Sequence, residues 1–363
     1  MNFRLLAIPL LTGLAAFTLA VFHNIEGVNI EALGLPAAVA GKTGFTSDIV
    51  IKRLADRMQV IERTAQSRAS ARDVMVQDDG GAAAILGDYF ELTPLLRVVQ
   101  TSFGLIPFTF SGEIVVRGKE MEMILRGHEA SSDRDTLIRV QAPEDDLIGL
   151  IDKAAYEAVR LVDPTLLAAY QFKKDYLTRD FTRTEDVIRR GLAQSKEENQ
   201  KWLYNLWGIT AYQQADRDGA IEKFRKALEI DPAFTSAALN WGVVLARQGR
   251  HQEAIAKFTD VVNNWRRGDS TDTLAAAFTE WGFSLALQGH TEAAIAKFRQ
   301  ATKTDPAFSD VYTAWAEVLS ANGRGDEAQL MTARALQLAP EELVYTDNLV
   351  GRTQSLPAVA ANH

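Results

Sequence analysis

Asp-Pro recurs at 163–164, 231–232 and 305–306, and Ala339-Pro340 follows. The separations are 68, 74 and 34, that is twice 34, twice 34 plus six, and 34 itself. A fixed period of this size commits a chain to stacked, like supersecondary units. One such unit cannot bury its apolar face alone, whereas neighbours in register share a continuous core. In this register the units run over residues 201–234, 235–268, 275–308 and 309–342, and residues 269–274 (GDSTDT) are a six-residue insertion.

The columns are consistent from unit to unit. The seventh position is Trp207, Trp241, Trp281 and Trp315, and the eighth is Gly208, Gly242, Gly282 and Ala316. The twentieth is Ala220, Ala254, Ala294 and Ala328, and Phe224, Phe258 and Phe298 hold the twenty-fourth, where the last unit has Thr332. Small residues permit close helix approach, aromatics fill the space between, and the Pro of Asp-Pro cannot continue a helix. Helical spacing predicts that the Trp column lies in the inter-helix core. Trp202 and Trp265 fall outside that column and are read as candidates for exposure.

In these columns the chain resembles the tetratricopeptide repeat family, whose units are two antiparallel helices stacked into an α-solenoid. The resemblance implies a protein or peptide ligand, held on a concave face lined by positions 2, 5, 9, 12 and 13 of each first helix. Carried over, the groove comprises Trp202, Asn205, Ile209 and Tyr212, then Leu239, Val243 and Arg247, then Thr279 and Phe283, and Glu317 in the last unit. That surface is apolar and aromatic in three units and acidic in the fourth. The carboxylate clamp of chaperone-binding members is missing, since Asn205 and Ile209, and Thr279 and Phe283, stand at the comparable places. The expected ligand is an amphipathic helix or an extended apolar peptide.

Residues 166–200 read as a degenerate opening unit, with Lys174 where the eighth-position Gly should be. The run EELVYTDNLVGRT at 341–353 suggests a capping helix over 343–354, followed by a disordered tail at 355–363.

Residues 24–165 lack the period and predict a small α+β domain. Ile49, Val50, Leu54, Met58 and Ile61 give a helix over 47–69 capped by Thr46 or Ser47. Residues 77–81 read as a loop, 83–91 as a strand, and Thr93-Pro94 as the start of a short helix to 103. Two strand-like runs meet in a hairpin at Arg117-Gly118-Lys119, a further strand covers 136–141, and Pro143 opens a helix carrying Leu147, Ile148, Ile151, Ala155 and Val159. Glu144-Asp145-Asp146 is then an acidic first turn. The fold class expected is mainly α, a repeat solenoid preceded by this domain and by an N-terminal membrane or signal segment.

That segment is residues 5–22, LLAIPLLTGLAAFTLAVF, without a charge. Eighteen helical residues cover about 27 Å, close to the ~30 Å hydrocarbon core. Residues 1–23 are therefore read as an uncleaved signal anchor, with cleavage after Thr18-Leu19-Ala20 as the alternative. Arg4 is the only nearby cation, so the N-terminus is placed in the cytoplasm and the rest of the chain in the periplasm. The whole pattern resembles membrane-anchored tetratricopeptide proteins of bacterial envelopes.

Catalytic and cofactor chemistry finds no support in the residue pattern. The chain has no Cys, which excludes thiolate nucleophiles and Cys-metal sites. Its five His are scattered and show no metal spacing; His251 and His290 are expected in solvated turns. Gly41-Lys42-Thr43 is not a phosphate loop, because Pro36 stands where a Gly is needed; it reads as a turn before a helix. A net charge of −8 without clustered cations argues against nucleic acid. The chain is thus expected to be a non-catalytic, membrane-anchored adaptor without cofactor. Two alternatives make residues 24–165 an enzyme or small-ligand module with the repeats as substrate dock, or make the chain a structural homo-oligomer joined through its groove.

Overall fold

The computed structural model describes residues 28–65 and 107–338. The membrane segment, the loop, strand and short helix expected between 77 and 103, and the capping helix and tail lie outside these residues. Among the described residues no helix is long and apolar enough to cross a membrane. The chain divides into two units, the described part of the first ending at Leu167 and the second continuing from Ala168.

The first unit is built on a sheet of strands β1 (Val28–Gly34), β2 (Phe108–Arg117), β3 (Glu120–Glu129) and β4 (Arg134–Pro143), in the order β1-β2-β3-β4. β1 runs parallel to β2, and the other neighbours are antiparallel. The expected hairpin is present: Gly118, at φ +66°, occupies the left-handed position that its two-residue loop requires. Phe110 and Ile114 of β2, Met121, Met123 and Leu125 of β3, and Ile138, Val140 and Ala142 of β4 are buried. Helix α3 (Leu147–Val162) packs against β3 and β4 and buries Leu150, Ile151, Ala154 and Ala158. Helix α2 (Ser47–Ala65) buries Val50, Leu54, Met58 and Ile61, and its Arg57 pairs with Asp152 of α3 at 2.8 Å.

Several expectations for this unit change. β1 was not foreseen, because three of its seven residues are exposed and no clean alternation marks it. Gly41-Lys42-Thr43 is the last turn of a short helix, α1 (Ala37–Thr43), and the chain turns instead at Gly44, at φ +70°. Pro143 ends β4 rather than opening a helix; Asp146 is the cap of α3, its Oδ1 accepting from the Gly149 N–H at 2.8 Å. That cap sets the helical register and leaves Ile148 exposed while Leu147, Ile151, Ala155 and Val159 are buried. Glu144 precedes the helix and is paired with Lys42. At the start of α2 the cap is Thr46, whose Oγ1 accepts from the Ile49 N–H at 3.3 Å.

From Pro164 onward the chain is helical hairpins: α4 (Pro164–Thr178) and α5 (Thr182–Gln194), α6 (Glu197–Gln213) and α7 (Arg217–Ile230), α8 (Thr235–Arg247) and α9 (His251–Asn264), α10 (Thr271–Leu287) and α11 (Thr291–Thr304), and α12 (Ser309–Ala321) and α13 (Gly325–Leu338). The Asp of each Asp-Pro makes the same local bond. Asp163, Asp231 and Asp305 accept from the N–H two residues on, at Thr165, Ala233 and Ala307, at 2.9, 3.0 and 2.8 Å. The opening pair lacks the Trp and Gly columns and is tied by a buried Asp175. Its carboxylate accepts from Gln171 Nε2 at 2.7 Å and from the Thr184 N–H and hydroxyl at 3.0 and 2.8 Å. The insertion 269–274 is not a separate loop: α10 already begins at Thr271, so its last four residues lengthen that helix. The link that remains is closed by Trp265 Nε1 donating to the Ser270 carbonyl at 3.2 Å.

Candidate protein-interaction surface

Within each repeat the second helix lays a fully buried Phe on the Gly of the first. Phe224, Phe258 and Phe298 have no exposed surface, and a Cβ at Gly242 or Gly282 would stand 2.5 or 2.7 Å from the Phe258 or Phe298 ring. Gly208 meets Phe224 in the same way. The last unit carries Ala316 and Thr332 at these two columns, so the larger eighth residue goes with the smaller partner. Ala220, Ala254, Ala294 and Ala328 are buried, as their column predicts.

The Trp column lies at the rim of this core rather than inside it. Trp207, Trp241, Trp281 and Trp315 are all half-buried. Over the first three rings stand Lys223, Lys257 and Lys297, with Nζ 4.5, 4.7 and 3.4 Å from the ring centroids. Each Lys is the twenty-third residue of its unit, a column that the sequence reading overlooked although it repeats as regularly as the Trp. In the last unit the position is Met331, packed with Trp315 against Ile295, Leu319 and Ala328. Burial lowers the Lys297 ammonium from its ordinary pKa.

The positions assigned to the groove divide into a closed wall and open ends. Ile209, Leu239, Val243, Thr279 and Phe283 are buried, so their apolar surface is already used. Asn205 is buried too, its Oδ1 accepting from Asn240 Nδ2 at 2.9 Å across consecutive first helices. Thr279 donates to the Ala275 carbonyl of its own helix at 2.8 Å. Arg247 is sealed against Glu280, with Nη1 to Oε2 at 3.2 Å and Nη2 to Oε1 at 3.3 Å. Burial works against the Arg247 charge, but Glu280 and a hydrogen bond with Tyr212 outweigh it and raise its pKa. Glu280 was not foreseen: its column holds Leu206, Asn240 and Ala314 elsewhere, and nothing in the sequence singles it out.

Trp202, Tyr212 and Glu317 are half-buried, while Thr313 and Ser320 are exposed. Trp202, a candidate for exposure, is half-buried, its ring packing edge-on to Phe234 with centroids 4.4 Å apart. Trp265 is half-buried as well. His251 does not lie in a solvated turn; it is the first residue of α9, half-buried, and burial followed by the Arg247 charge lowers its pKa. In the first unit a cavity of about 20 Å³ lies between α2 and α3, lined by Val28, Met58, Glu62, Val159, Val162, Asp163 and Leu166. It is of the size that holds one water.

The tetratricopeptide repeat profile matches residues 234–307 and, overlapping them, residues 285–347. Residues 234–347 of the chain are tetratricopeptide repeats. No curated protein sequence matches it significantly. Among solved structures it is similar to MamA of Desulfovibrio magneticus RS-1, at 16% identity over 48% of this chain and 95% of that one, with a TM-score of 0.38. It is also similar to PilF of Pseudomonas aeruginosa, at 15% identity over 52% of this chain and 79% of that one, with a TM-score of 0.42. YrrB, reported as a tetratricopeptide protein with an unusual peptide-binding site, gives 18% identity over 52% of this chain and 92% of that one, and a TM-score of 0.35. A tetratricopeptide array is a protein-interaction scaffold. In this array the first three repeats spend their apolar groove positions on internal packing, and the fourth keeps accessible polar ones.

Proposed function

We propose that this tetratricopeptide protein is a non-catalytic adaptor, anchored in a bacterial inner membrane by residues 5–22, whose concave face binds a segment of another envelope protein. The observation that carries the reading is the division of the groove. Leu239, Val243, Phe283 and the Arg247-Glu280 pair are sealed and fixed within the array as a rigid wall, and the fourth unit beside it carries half-buried Asp310 and Glu317 with exposed Thr313 and Ser320. A rigid wall loses little entropy on binding, and an acidic end selects a ligand with a cation. The segment therefore carries at least one Lys or Arg. The membrane placement rests on the uncharged run 5–22 and its single flanking cation.

The test is a photo-cross-linking residue at Thr313 in the full chain, in intact cells. Capture of one envelope protein is expected, falling about fivefold in Asp310→Lys/Glu317→Lys, the effect of roughly 1 kcal/mol. Unchanged capture by the charge-reversed chain removes the groove reading. A reporter active only in the periplasm, fused after His363, tests the location separately, and its silence overturns it.

A further inference from the structure

Both ends of the sheet are strand edges, and they differ. β1 is seven residues long, and its register against β2 breaks between Ile30 and Ala32. Such irregularity twists an edge away from further pairing. β4 has ten residues and pairs with β3 without a break from Arg134 opposite Glu129 to Pro143 opposite Glu120. Among the described residues no strand pairs with its outer edge. Pro143 is its only Pro and stands at its very end, and the Gln141 carbonyl near that end accepts from Lys153 Nζ at 2.8 Å, so the stretch around Leu137 holds no Pro to block an incoming ladder of hydrogen bonds.

The side chains of this edge have a two-fold pattern. Ile138, Val140 and Ala142 point into the core, which puts Asp135, Leu137, Arg139 and Gln141 on the opposite face. Leu137 is 51% exposed there, flanked two residues away on one side by an acid and on the other by a cation. Asp135 lies 2.9 Å from His128 Nδ1, which fixes its carboxylate on that face.

We propose that β4 pairs antiparallel with β4 of a second copy of this chain, about a two-fold axis at Leu137. In that register Leu137 meets its own copy, and Asp135 of each chain stands opposite Arg139 of the other. Two ion pairs then flank one apolar pair on the same face. An axis at Asp135 sets two carboxylates opposite each other, and an axis at Arg139 sets two guanidinium groups opposite each other. Like charges directly opposed destabilise a strand pair. Axes at Thr136 or Ile138 put Leu137 against a charge. Among axes from Asp135 to Arg139 the charge pattern therefore selects the one at Leu137, and the interface is isologous, as closed dimers require.

The absence of cysteine makes the test clean. Opposed residues of an antiparallel pair have Cα atoms about 4.5–5.5 Å apart, within disulfide reach. Full-length Leu137→Cys, treated with a mild oxidant such as diamide, is expected to form a disulfide-linked dimer. Leu177→Cys, at a position 87% exposed in the helical array, is expected to remain monomeric. Adding Asp135→Arg places two cations opposite each other and is expected to lower cross-linking at 137 about tenfold. Adding Arg139→Asp to that chain exchanges the charges and restores it. The restoration separates loss of pairing from loss of folding. Equal cross-linking at 137 and 177, none at 137, or a charge exchange that does not restore it overturns the proposal.

Discussion

Arg247 and Glu280 join two consecutive repeats through a two-point ion pair, 3.2 and 3.3 Å long, with both side chains sealed from solvent. Removing Glu280 leaves the Arg247 charge buried without a counter-ion, which costs about 3–5 kcal/mol. Glu280→Ala is expected to lose stability on that scale, measured by urea unfolding. Arg247→Met/Glu280→Leu is expected to recover most of it, since no charge is then left in the wall. A double variant as unstable as the single one would show that the pair is worth more than its desolvation costs.

His251 beside this pair makes the array sensitive to acid. Burial, and then the Arg247 charge, place its folded-state pKa below the unfolded value of 6.5. The unfolded chain therefore takes up the proton first. The stability that depends on a neutral His251 is fully present above about pH 6.5 and is lost as the pH falls through the folded value. The urea midpoint of the protein is expected to decline below that pH, and that of His251→Gln to decline less. Parallel pH profiles for the two would contradict this.

The Gly-Phe contact predicts a paired outcome. Gly242→Ala forces a Cβ to 2.5 Å from the Phe258 ring and is expected to cost about 1–3 kcal/mol in thermal or urea unfolding. Phe258→Thr opens a cavity on its own, yet Gly242→Ala on that background is expected to cost little. The fourth repeat already combines Ala316 with Thr332. Additive losses would mean that the two columns are not coupled.

Lys297 stands 3.4 Å over Trp281 with a pKa lowered by burial. Its side chain covers the ring with the ammonium over the ring face, while burial opposes the charge. Lys297→Met copies the Met331 arrangement of the next repeat and is expected to hold or raise stability. Lys297→Ala uncovers the indole and is expected to cost about 1 kcal/mol, with a red shift in Trp emission. Equal stability of the Met and Ala variants would show that the side chain does not protect the ring.

The repeat was legible because every unit must present the same small and large residues to its neighbours, so packing is written as columns at a fixed period. Gly242 and Phe258 are an example of a contact readable from spacing alone. The groove was less legible. Phe283 and Leu239 occupy positions that line a concave face in the family, yet here they are buried. Position along a helix gives direction, while exposure depends on how closely the next helix approaches. Trp202, a candidate for exposure, is half-buried for the same reason, since nothing in its own helix announces the Phe234 ring. Strand β1 was missed because its pairing partner, Phe108 onward, lies some eighty residues away.

The sequence by itself determined the periodic part of this protein, four tetratricopeptide units, the Gly-Phe columns of three of them and the helix stops at Pro164, Pro232 and Pro306, and outside it the hairpin at Gly118. Each of these follows from a local rule, whether a turn that requires Gly, a helix that Pro stops, or a column that repeats. Only the tertiary structure decided that Arg247 is neutralised by Glu280, that three of the four column Trp rings lie under Lys side chains at the rim, and that among the described residues no strand pairs with the outer edge of β4, where Leu137 is exposed. Those depend on distances between residues far apart in the chain, where electrostatics and burial act through space and leave no fixed spacing behind.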